Sequence, residues 1–164
     1  MMKPLWAPWR MEFITSEKKE GCCVFCDLPK EKEDKKNLIL YRGESVFVIL
    51  NKFPYNLGHM MVVPYEHTNQ FQTLKKEQLL EMMQETQRVM GVLTEVYRPE
   101  GFNTGMNLGQ AAGAGIKEHL HFHIVPRWNG DTNFMPVLSE TKGMPEHLQT
   151  CFEKCSESYR RKVK

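Results

Sequence analysis

The chain has 164 residues, a formal net charge of +2 and 26% charged residues. Its length suits one domain with a hydrophobic core, and its near-neutral charge offers no electrostatic basis for binding nucleic acid or a membrane surface. No apolar run approaches the roughly 18 residues that span a bilayer, and lysine, arginine and prolines stand where the h-region of a secretory signal would lie. We therefore expect a cytoplasmic protein, in whose reducing surroundings cysteines bind metals more often than they form disulfides.

The first part of the chain is predicted to hold an arm, a loop and three strands. Three aromatic residues stand among prolines in residues 1–14, which indicates an extended arm against the core. The charged residues 30–36 are typical of an exposed loop. Apolar runs bounded by turn signals predict a hairpin of strands at 38–41 and 46–50 and a further strand at 59–63.

The second part is predicted to hold two helices and two strands. Apolar residues recur at three- and four-residue spacing over residues 75–97, which predicts an amphipathic helix ended by a proline and a glycine. Residues 102–108 and 119–125 read as strands, and residues 146–159 as a C-terminal helix.

Strands grouped around one long helix favour an α+β fold with an antiparallel sheet of about five strands. We expect one domain over residues 1–164. The C-terminal helix and tail would occupy residues 145–164.

Three histidines alternate with large apolar residues in the run His119-Leu120-His121-Phe122-His123. Successive side chains of a β-strand point to opposite faces, so a strand here would place the three imidazoles on one face. Imidazole titrates near physiological pH and serves as nucleophile, proton donor or metal ligand. The alternation therefore predicts that the catalytic residues lie in this segment.

A glycine-rich segment, residues 109–115, lies between the last two predicted strands. Small residues let the backbone adopt positive φ and approach a ligand closely, so that successive N–H groups converge on an anion. On its own such a segment is more often a plain loop. Its position four residues before His119 favours a phosphate cradle beside the imidazoles.

The alternating segment His119–Val125 resembles the pattern of the histidine triad (HIT) superfamily of nucleotide hydrolases and transferases. Residues 46–51 and 58–64 look like the family's central strands. Residues 5–10 and 126–131 look like a prokaryotic branch that contains diadenosine-polyphosphate-cleaving enzymes. The resemblance covers nearly the whole chain and implies the HIT-like version of the α+β fold.

The resemblance implies a reaction in which the middle histidine attacks the α-phosphorus of a nucleotide and forms a covalent nucleotidyl-histidine. That histidine is His121 here, and neutral imidazole is nucleophilic at pH 7 without prior activation. His123 would contact the same phosphate oxygens and offset the charge that develops there, and His119 completes the catalytic set. The protein would be a nucleotidyl hydrolase of dinucleoside polyphosphates such as diadenosine tetraphosphate, or of related nucleoside phosphate derivatives.

The resemblance also implies which residues bind the nucleotide. Asn107 would hold a non-bridging phosphate oxygen, and Asn51 would take the ribose hydroxyls. Backbone N–H groups of the loop would assist at Gly113, Ala114 and Gly115. The apolar candidates for the base pocket, for each of which simple core packing is an equal alternative, are Phe25, Leu28 and Ile49.

Cys23 and Cys26 form a C-x-x-C pair, which in a reducing compartment indicates a structural zinc site. Two thiolates need two further ligands for tetrahedral coordination. The resemblance supplies them, because in family members with this pair, including the related uridylyltransferases, the positions occupied here by His67 and His119 complete the site. A redox pair is the alternative, but no thioredoxin-like βαβ pattern surrounds these cysteines.

Two other functions compete with a nucleotidyl-histidine enzyme. A metalloenzyme using the histidine row would need a further ligand nearby, and beyond Glu118 the segment supplies none. A non-catalytic nucleotide-binding protein would tolerate the loss of His121, which this chain retains. Phosphorolysis, with inorganic phosphate as the acceptor in place of water, remains open. The resemblance further implies a homodimer.

Overall fold

The computed structural model describes residues 23–132 and 143–163. The predicted arm at 1–14 lies outside the described residues. The strands are β1 (Ile39–Arg42), β2 (Val46–Leu50), β3 (Met60–Pro64), β4 (Gly101–Gly105) and β5 (Phe122–Arg127). The helices are α1 (Val24–Asp27), α2 (Asp34–Asn37), α3 (Lys76–Tyr97) and α4 (Leu148–Val163), with 3₁₀ turns at Leu28–Glu31 and Phe71–Thr73.

The five strands form one sheet in the order β1-β2-β3-β5-β4, and every neighbouring pair is antiparallel. The predicted α+β fold with an antiparallel sheet of about five strands is therefore confirmed. The long helix and the C-terminal helix are both present, and each bound lies within a few residues of its prediction. No helix in the described ranges is long and apolar enough to cross a membrane.

The core lies between the centre of the sheet and α3. Every residue of β2 and β3 is buried, and α3 packs on β2, β3 and β5 while α4 packs on α3 and β1. Each fully buried large apolar side chain contributes about 1.5–3 kcal/mol. Those that α3 supplies at its helical spacing are Met82, Val89, Val92 and Leu93.

Residues 30–36 are not the loop that their charge predicts. The 3₁₀ turn and α2 occupy most of this segment, because Arg42 holds it against β1. The Arg42 guanidinium donates to the Asp34 carboxylate at 2.6 Å and to the Pro29 carbonyl oxygen at 2.7 Å. The lysines and glutamates of the segment remain exposed, as expected.

Candidate active site

The histidine row does not lie wholly in a strand, and the prediction of a strand beginning at residue 119 is wrong. β5 begins at Phe122, because the backbone N–H of Leu120 donates to the carbonyl oxygen of Thr68 at 2.7 Å instead of joining the ladder. The three imidazoles consequently enter two environments. His119 lies against His67, with ring centroids 5.2 Å apart. The rings of His121 and His123 pack edge to face, with centroids 4.7 Å apart.

The tautomer of His121 follows from one hydrogen bond. Its Nδ1 lies 2.9 Å from the backbone carbonyl oxygen of His119, and a carbonyl oxygen can only accept. Burial lowers the pKa of His121, so the ring is neutral at pH 7. The proton therefore sits on Nδ1, and Nε2 carries a lone pair.

His123 contacts a histidine that the sequence did not single out for a role. Its Nδ1 lies 2.9 Å from Nε2 of His59, a residue of the turn before β3 that is fully buried. Burial is the main cause that lowers the pKa of His59 to about 3 and that of His123 to about 4. Both imidazoles are therefore neutral at physiological pH.

Gly58 allows the turn before β3 to place His59. Its φ is +74°, a conformation that favours glycine, and an added Cβ would lie 2.8 Å from Leu93 Cδ2. The turn is also anchored by Asn56, whose Nδ2 donates to the Pro126 carbonyl oxygen at 2.9 Å and to Asp131 at 2.8 Å. These contacts fix the backbone next to His59.

A second group of side chains meets beside the first histidine. One ligand atom from each of Cys23, Cys26, His67 and His119 lies within 4.8 Å of the other three. Nδ1 of His119 is 3.2 Å from Cys23 Sγ and 3.5 Å from Cys26 Sγ, and Nδ1 of His67 is 3.3 Å from Cys26 Sγ. The edge between sulfur and nitrogen in a tetrahedral zinc site is about 3.6 Å, given bonds of about 2.3 and 2.0–2.1 Å.

The donor atoms of this cluster fit a metal ion. Nε2 of His119 lies 2.8 Å from the Pro64 carbonyl oxygen and donates to it, so Nδ1 presents its lone pair to the sulfurs. Such an outer hydrogen bond is the usual way in which a protein orients a metal-ligating histidine. The cluster can therefore hold a metal, and the ligand set predicted from the sequence is brought together.

The glycine-rich segment forms an irregular loop. Gly109 and Gly113 have φ near +80°, and the N–H of Ala114 donates back to the Gly109 carbonyl oxygen at 3.2 Å. Gly113 and Gly115 are exposed and Ala114 is buried. The loop follows β4 and Asn107 and leads into His119, so it ends at the histidine row.

A family model described as the HIT domain matches residues 31–130. The chain belongs to the HIT-domain family. Within it, this HIT protein is 37% identical over 156 residues to a protein of Mycobacterium tuberculosis (strain ATCC 25618 / H37Rv) named AP-4-A phosphorylase, covering 90% of this chain and 80% of the relative. It is 29% identical over 93 residues to a bis(5'-adenosyl)-triphosphatase of Dictyostelium discoideum, covering 57% of this chain and 62% of the relative.

Solved structures share the fold of this HIT protein. A zinc-bound histidine triad family protein from Mycobacterium smegmatis matches with a TM-score of 0.68 and 26% identity, covering 86% of this chain and 95% of the other. A hypothetical histidine triad nucleotide-binding protein from Sulfolobus tokodaii strain7 matches with a TM-score of 0.68 and 26% identity over 85% and 93% of the chains.

The base-pocket candidates of the HIT protein lie in the core or at its border. Phe25 is 3% exposed, and its ring lies 5.2 Å from His121 and 5.5 Å from His119. Ile49 is buried in β2, and Leu28 is half-buried at the start of the 3₁₀ turn. Phe25 thus packs against the histidine row, while Ile49 and Leu28 pack in or on the core.

Asn51 and Asn107, the polar candidates, are both half-exposed. Asn51 is already engaged: its Oδ1 accepts from the N–H of Phe53 at 2.9 Å, and its Nδ2 lies 3.3 Å from His59 Nδ1. Asn107 lies two residues after β4 and precedes the glycine-rich loop. Asn51 thus lies beside His59. Asn107 lies where the chain enters the glycine-rich loop.

A cavity of about 560 Å³ lies apart from the histidine row. It is bordered by the loop before His59, the end of α3 and the residues after β5, and it contains none of the site residues predicted from the sequence. Its lining includes Asn56, Tyr97, Trp128 and Asp131. Chemistry that needs the imidazoles therefore takes place outside this cavity.

Proposed function

We propose that this HIT protein cleaves dinucleoside polyphosphates by transferring a nucleotidyl group to Nε2 of His121. The observation that carries the proposal is the hydrogen bond from His121 Nδ1 to the carbonyl oxygen of His119, which leaves a lone pair on Nε2. The lowered pKa keeps that ring neutral and nucleophilic. The relatives named AP-4-A phosphorylase and bis(5'-adenosyl)-triphosphatase support this substrate class.

In the first step, Nε2 of His121 attacks the α-phosphorus and the bond from that phosphorus to the bridging oxygen breaks. The remaining polyphosphate leaves with the bonding electrons. His123, whose ring stands 4.7 Å from that of His121, would stabilise the charge on the phosphate oxygens. We propose that Asn107 and the loop at Gly113–Gly115 bind the phosphates and that Asn51 binds the ribose. The N–H groups of Gly113 and Ala114 donate within the loop, so this part of the proposal requires the loop to exchange those hydrogen bonds for the phosphate. Phe25, Ile49 and Leu28 remain proposals for the base pocket.

In the second step an acceptor oxygen attacks the same phosphorus and the bond to His121 breaks, with its electrons returning to Nε2. A water acceptor gives up one proton to the solvent in this step. Water as acceptor gives hydrolysis, which the family resemblance favours because some transferases and phosphorylases of the superfamily have glutamine where this chain has His123. Inorganic phosphate gives phosphorolysis, and the relative named AP-4-A phosphorylase, which aligns with 90% of this chain, supports that alternative.

Product analysis tests the function and separates the acceptors. Diadenosine tetraphosphate is incubated with the protein, with and without inorganic phosphate, and the nucleotides are separated by chromatography. AMP with ATP indicates hydrolysis, and ADP with ATP that forms only in the presence of phosphate indicates phosphorolysis. An intact substrate in both arms would overturn the proposed function.

We further propose that the metal held by Cys23, Cys26, His67 and His119 is zinc. Two thiolates with two imidazoles form one of the common structural zinc sets, and the similar protein from M. smegmatis is described as zinc-bound. Burial and the neighbouring Cys23 raise the pKa of the Cys26 thiol to about 11, so a cation is needed to favour the thiolate. Elemental analysis of protein purified without chelator is expected to give one zinc per chain, and a metal-free preparation would contradict the assignment.

A homodimer in the cytoplasm completes the proposal. β4 is an edge of the sheet, with Asn103 and Thr104 exposed, and an unpaired edge is a surface that a second copy can extend across a two-fold axis. The cytoplasm is the expected location because its reducing conditions keep thiols available to bind a metal. A monomer in sedimentation experiments at micromolar concentration would count against the dimer.

A further inference from the structure

We propose that His59 is a positioning residue that sets the tautomer of His123, so that Nε2 of His123 presents an N–H donor to a phosphate oxygen of the substrate. This inference rests on the proposed function for the identity of the substrate, but the tautomer itself is a property of the free protein. Each hydrogen bond in the chain that leads to His123 has a direction that the chemistry of its groups determines.

This series of hydrogen bonds begins at a backbone amide. The N–H of Tyr55 donates to Nδ1 of His59 at 3.0 Å, and an amide nitrogen cannot accept. The Oδ1 of Asn51 accepts from the N–H of Phe53 at 2.9 Å, so its Nδ2 is the group that faces the His59 ring, 3.3 Å from Nδ1 and 3.5 Å from Nε2. The Tyr55 amide is thus the contact that fixes the direction. Nδ1 of His59 is consequently an acceptor without a proton.

A neutral imidazole with an unprotonated Nδ1 carries its proton on Nε2. His59 is neutral because it is fully buried and no opposite charge compensates its protonated form. Its Nε2 lies 2.9 Å from Nδ1 of His123 and donates to it. By the same rule, neutral His123 carries its own proton on Nε2.

Nε2 of His123 is buried and has no hydrogen-bond partner within the described part of the chain. A buried donor without a partner is unfavourable, so this N–H is available to an acceptor that comes with the ligand. The ring of Tyr55 lies 4.6 Å from that of His59 and 5.5 Å from that of His123, and it covers the bond between the two imidazoles. The acceptor that the proposed reaction brings to this position is a phosphate oxygen.

The chain of hydrogen bonds also limits what His123 does. A backbone amide does not release its proton, so no proton can be passed through His59 to replace one lost from His123. Because it cannot regain a lost proton and its Nε2 already carries one, His123 supplies a hydrogen bond and acts neither as an acid toward the leaving group nor as a base toward the acceptor. A departing phosphate has a second pKa of about 6 and leaves as an anion, so a hydrogen bond is sufficient.

The test compares His59→Gln with His59→Met, two side chains of similar length of which only glutamine donates a hydrogen bond. The ¹⁵N resonances of the His123 ring in the free protein report which nitrogen is protonated. We expect a protonated Nε2 in the wild type and in His59→Gln, and a mixture of tautomers in His59→Met. An unprotonated Nε2 in the wild-type protein overturns the proposal, and that measurement needs no variant.

Two further measurements connect the tautomer with the ligand. Inorganic phosphate is expected to shift the Nε2–H resonance of His123 in the wild type, and an unshifted resonance at saturating phosphate would contradict the assigned ligand. With diadenosine tetraphosphate, kcat should fall at least tenfold further in His59→Met than in His59→Gln, and equal losses would contradict the positioning role. If the wild type cleaves no dinucleoside polyphosphate, the proposed function fails while the ¹⁵N measurement still decides the tautomer.

Discussion

The backbone carbonyl oxygen of His119 accepts the Nδ1–H of His121 at 2.9 Å, while the imidazole of the same His119 turns its Nδ1 toward Cys23 and Cys26. One residue thus orients the proposed nucleophile with its main chain and completes the metal cluster with its side chain. Phe25, from the C-x-x-C segment, packs on both rings. The metal cluster and the proposed catalytic histidine are therefore in direct contact, through the main chain of His119 and the ring of Phe25.

Replacing the proposed nucleophile should abolish turnover. We expect His121→Ala to lower kcat for dinucleoside polyphosphate cleavage by a factor on the order of 10⁴ or more, with nucleotide affinity largely kept. His123→Ala should cost roughly 10²–10³-fold, as for one lost donor to transition-state charge. Steady-state kinetics on both variants measure the order of the effects. Wild-type rates in His121→Ala would exclude the covalent mechanism.

Removing one ligand should empty the metal cluster. Cys26→Ala is expected to bind less than one metal per chain and to lose about 3 kcal/mol or more of unfolding free energy, which corresponds to roughly 6–12 °C in Tm. Cys151→Ala is the matched control, since Cys151 is buried in α4 away from the cluster. The control should keep its metal content. If Cys26→Ala keeps one metal per chain, the ligand set is wrong.

Stability should decline below pH 6.5 because of two buried histidines. Folding lowers the pKa of His59 to about 3 and that of His123 to about 4, against about 6.5 in the unfolded chain. Above pH 6.5 both states are neutral and stability does not depend on these groups. As the pH falls from 6.5 toward 4, the unfolded chain binds protons that the folded chain does not, at up to about 1.4 kcal/mol per pH unit for each histidine.

Urea unfolding of the wild type and of His59→Gln at pH 7.5 and 5.5 measures this dependence. The variant should lose less stability between the two pH values, because one of the two titrating groups is absent. Metal content is recorded at each pH, since the metal ligands also bind protons. An identical pH dependence in the two proteins would rule out the contribution of His59.

The turn before His59 should not tolerate a side chain at its glycine. Gly58→Ala places a Cβ 2.8 Å from Leu93 Cδ2 at a φ of +74°, and we expect a loss of about 1–3 kcal/mol in unfolding free energy. Gly101→Ala is the control, because nothing lies within 4 Å of its added Cβ. The control should stay within about 1 kcal/mol of the wild type. Equal stability of the two variants would show that the turn adapts.

The sequence predicted most elements because their patterns are local. The helical periodicity over residues 75–97 matches α3, since burial of one helical face repeats every three to four residues. Prediction from the sequence was less successful at residues 30–36 and at the start of β5. In both cases a hydrogen bond to a distant residue decided the local structure: Arg42 holds α2, and Thr68 draws Leu120 out of the ladder.

The residue types and spacing along the chain by themselves determined the chemistry that this protein carries: two thiols at C-x-x-C spacing, three alternating imidazoles and a glycine-rich loop before them. Only the tertiary structure decided how these groups are used. His59 meets His123 across 64 positions of the chain, and the direction of their hydrogen bond depends on amides in the turn before β3. Proton positions depend on contacts between segments that are distant in sequence, so no local pattern encodes them.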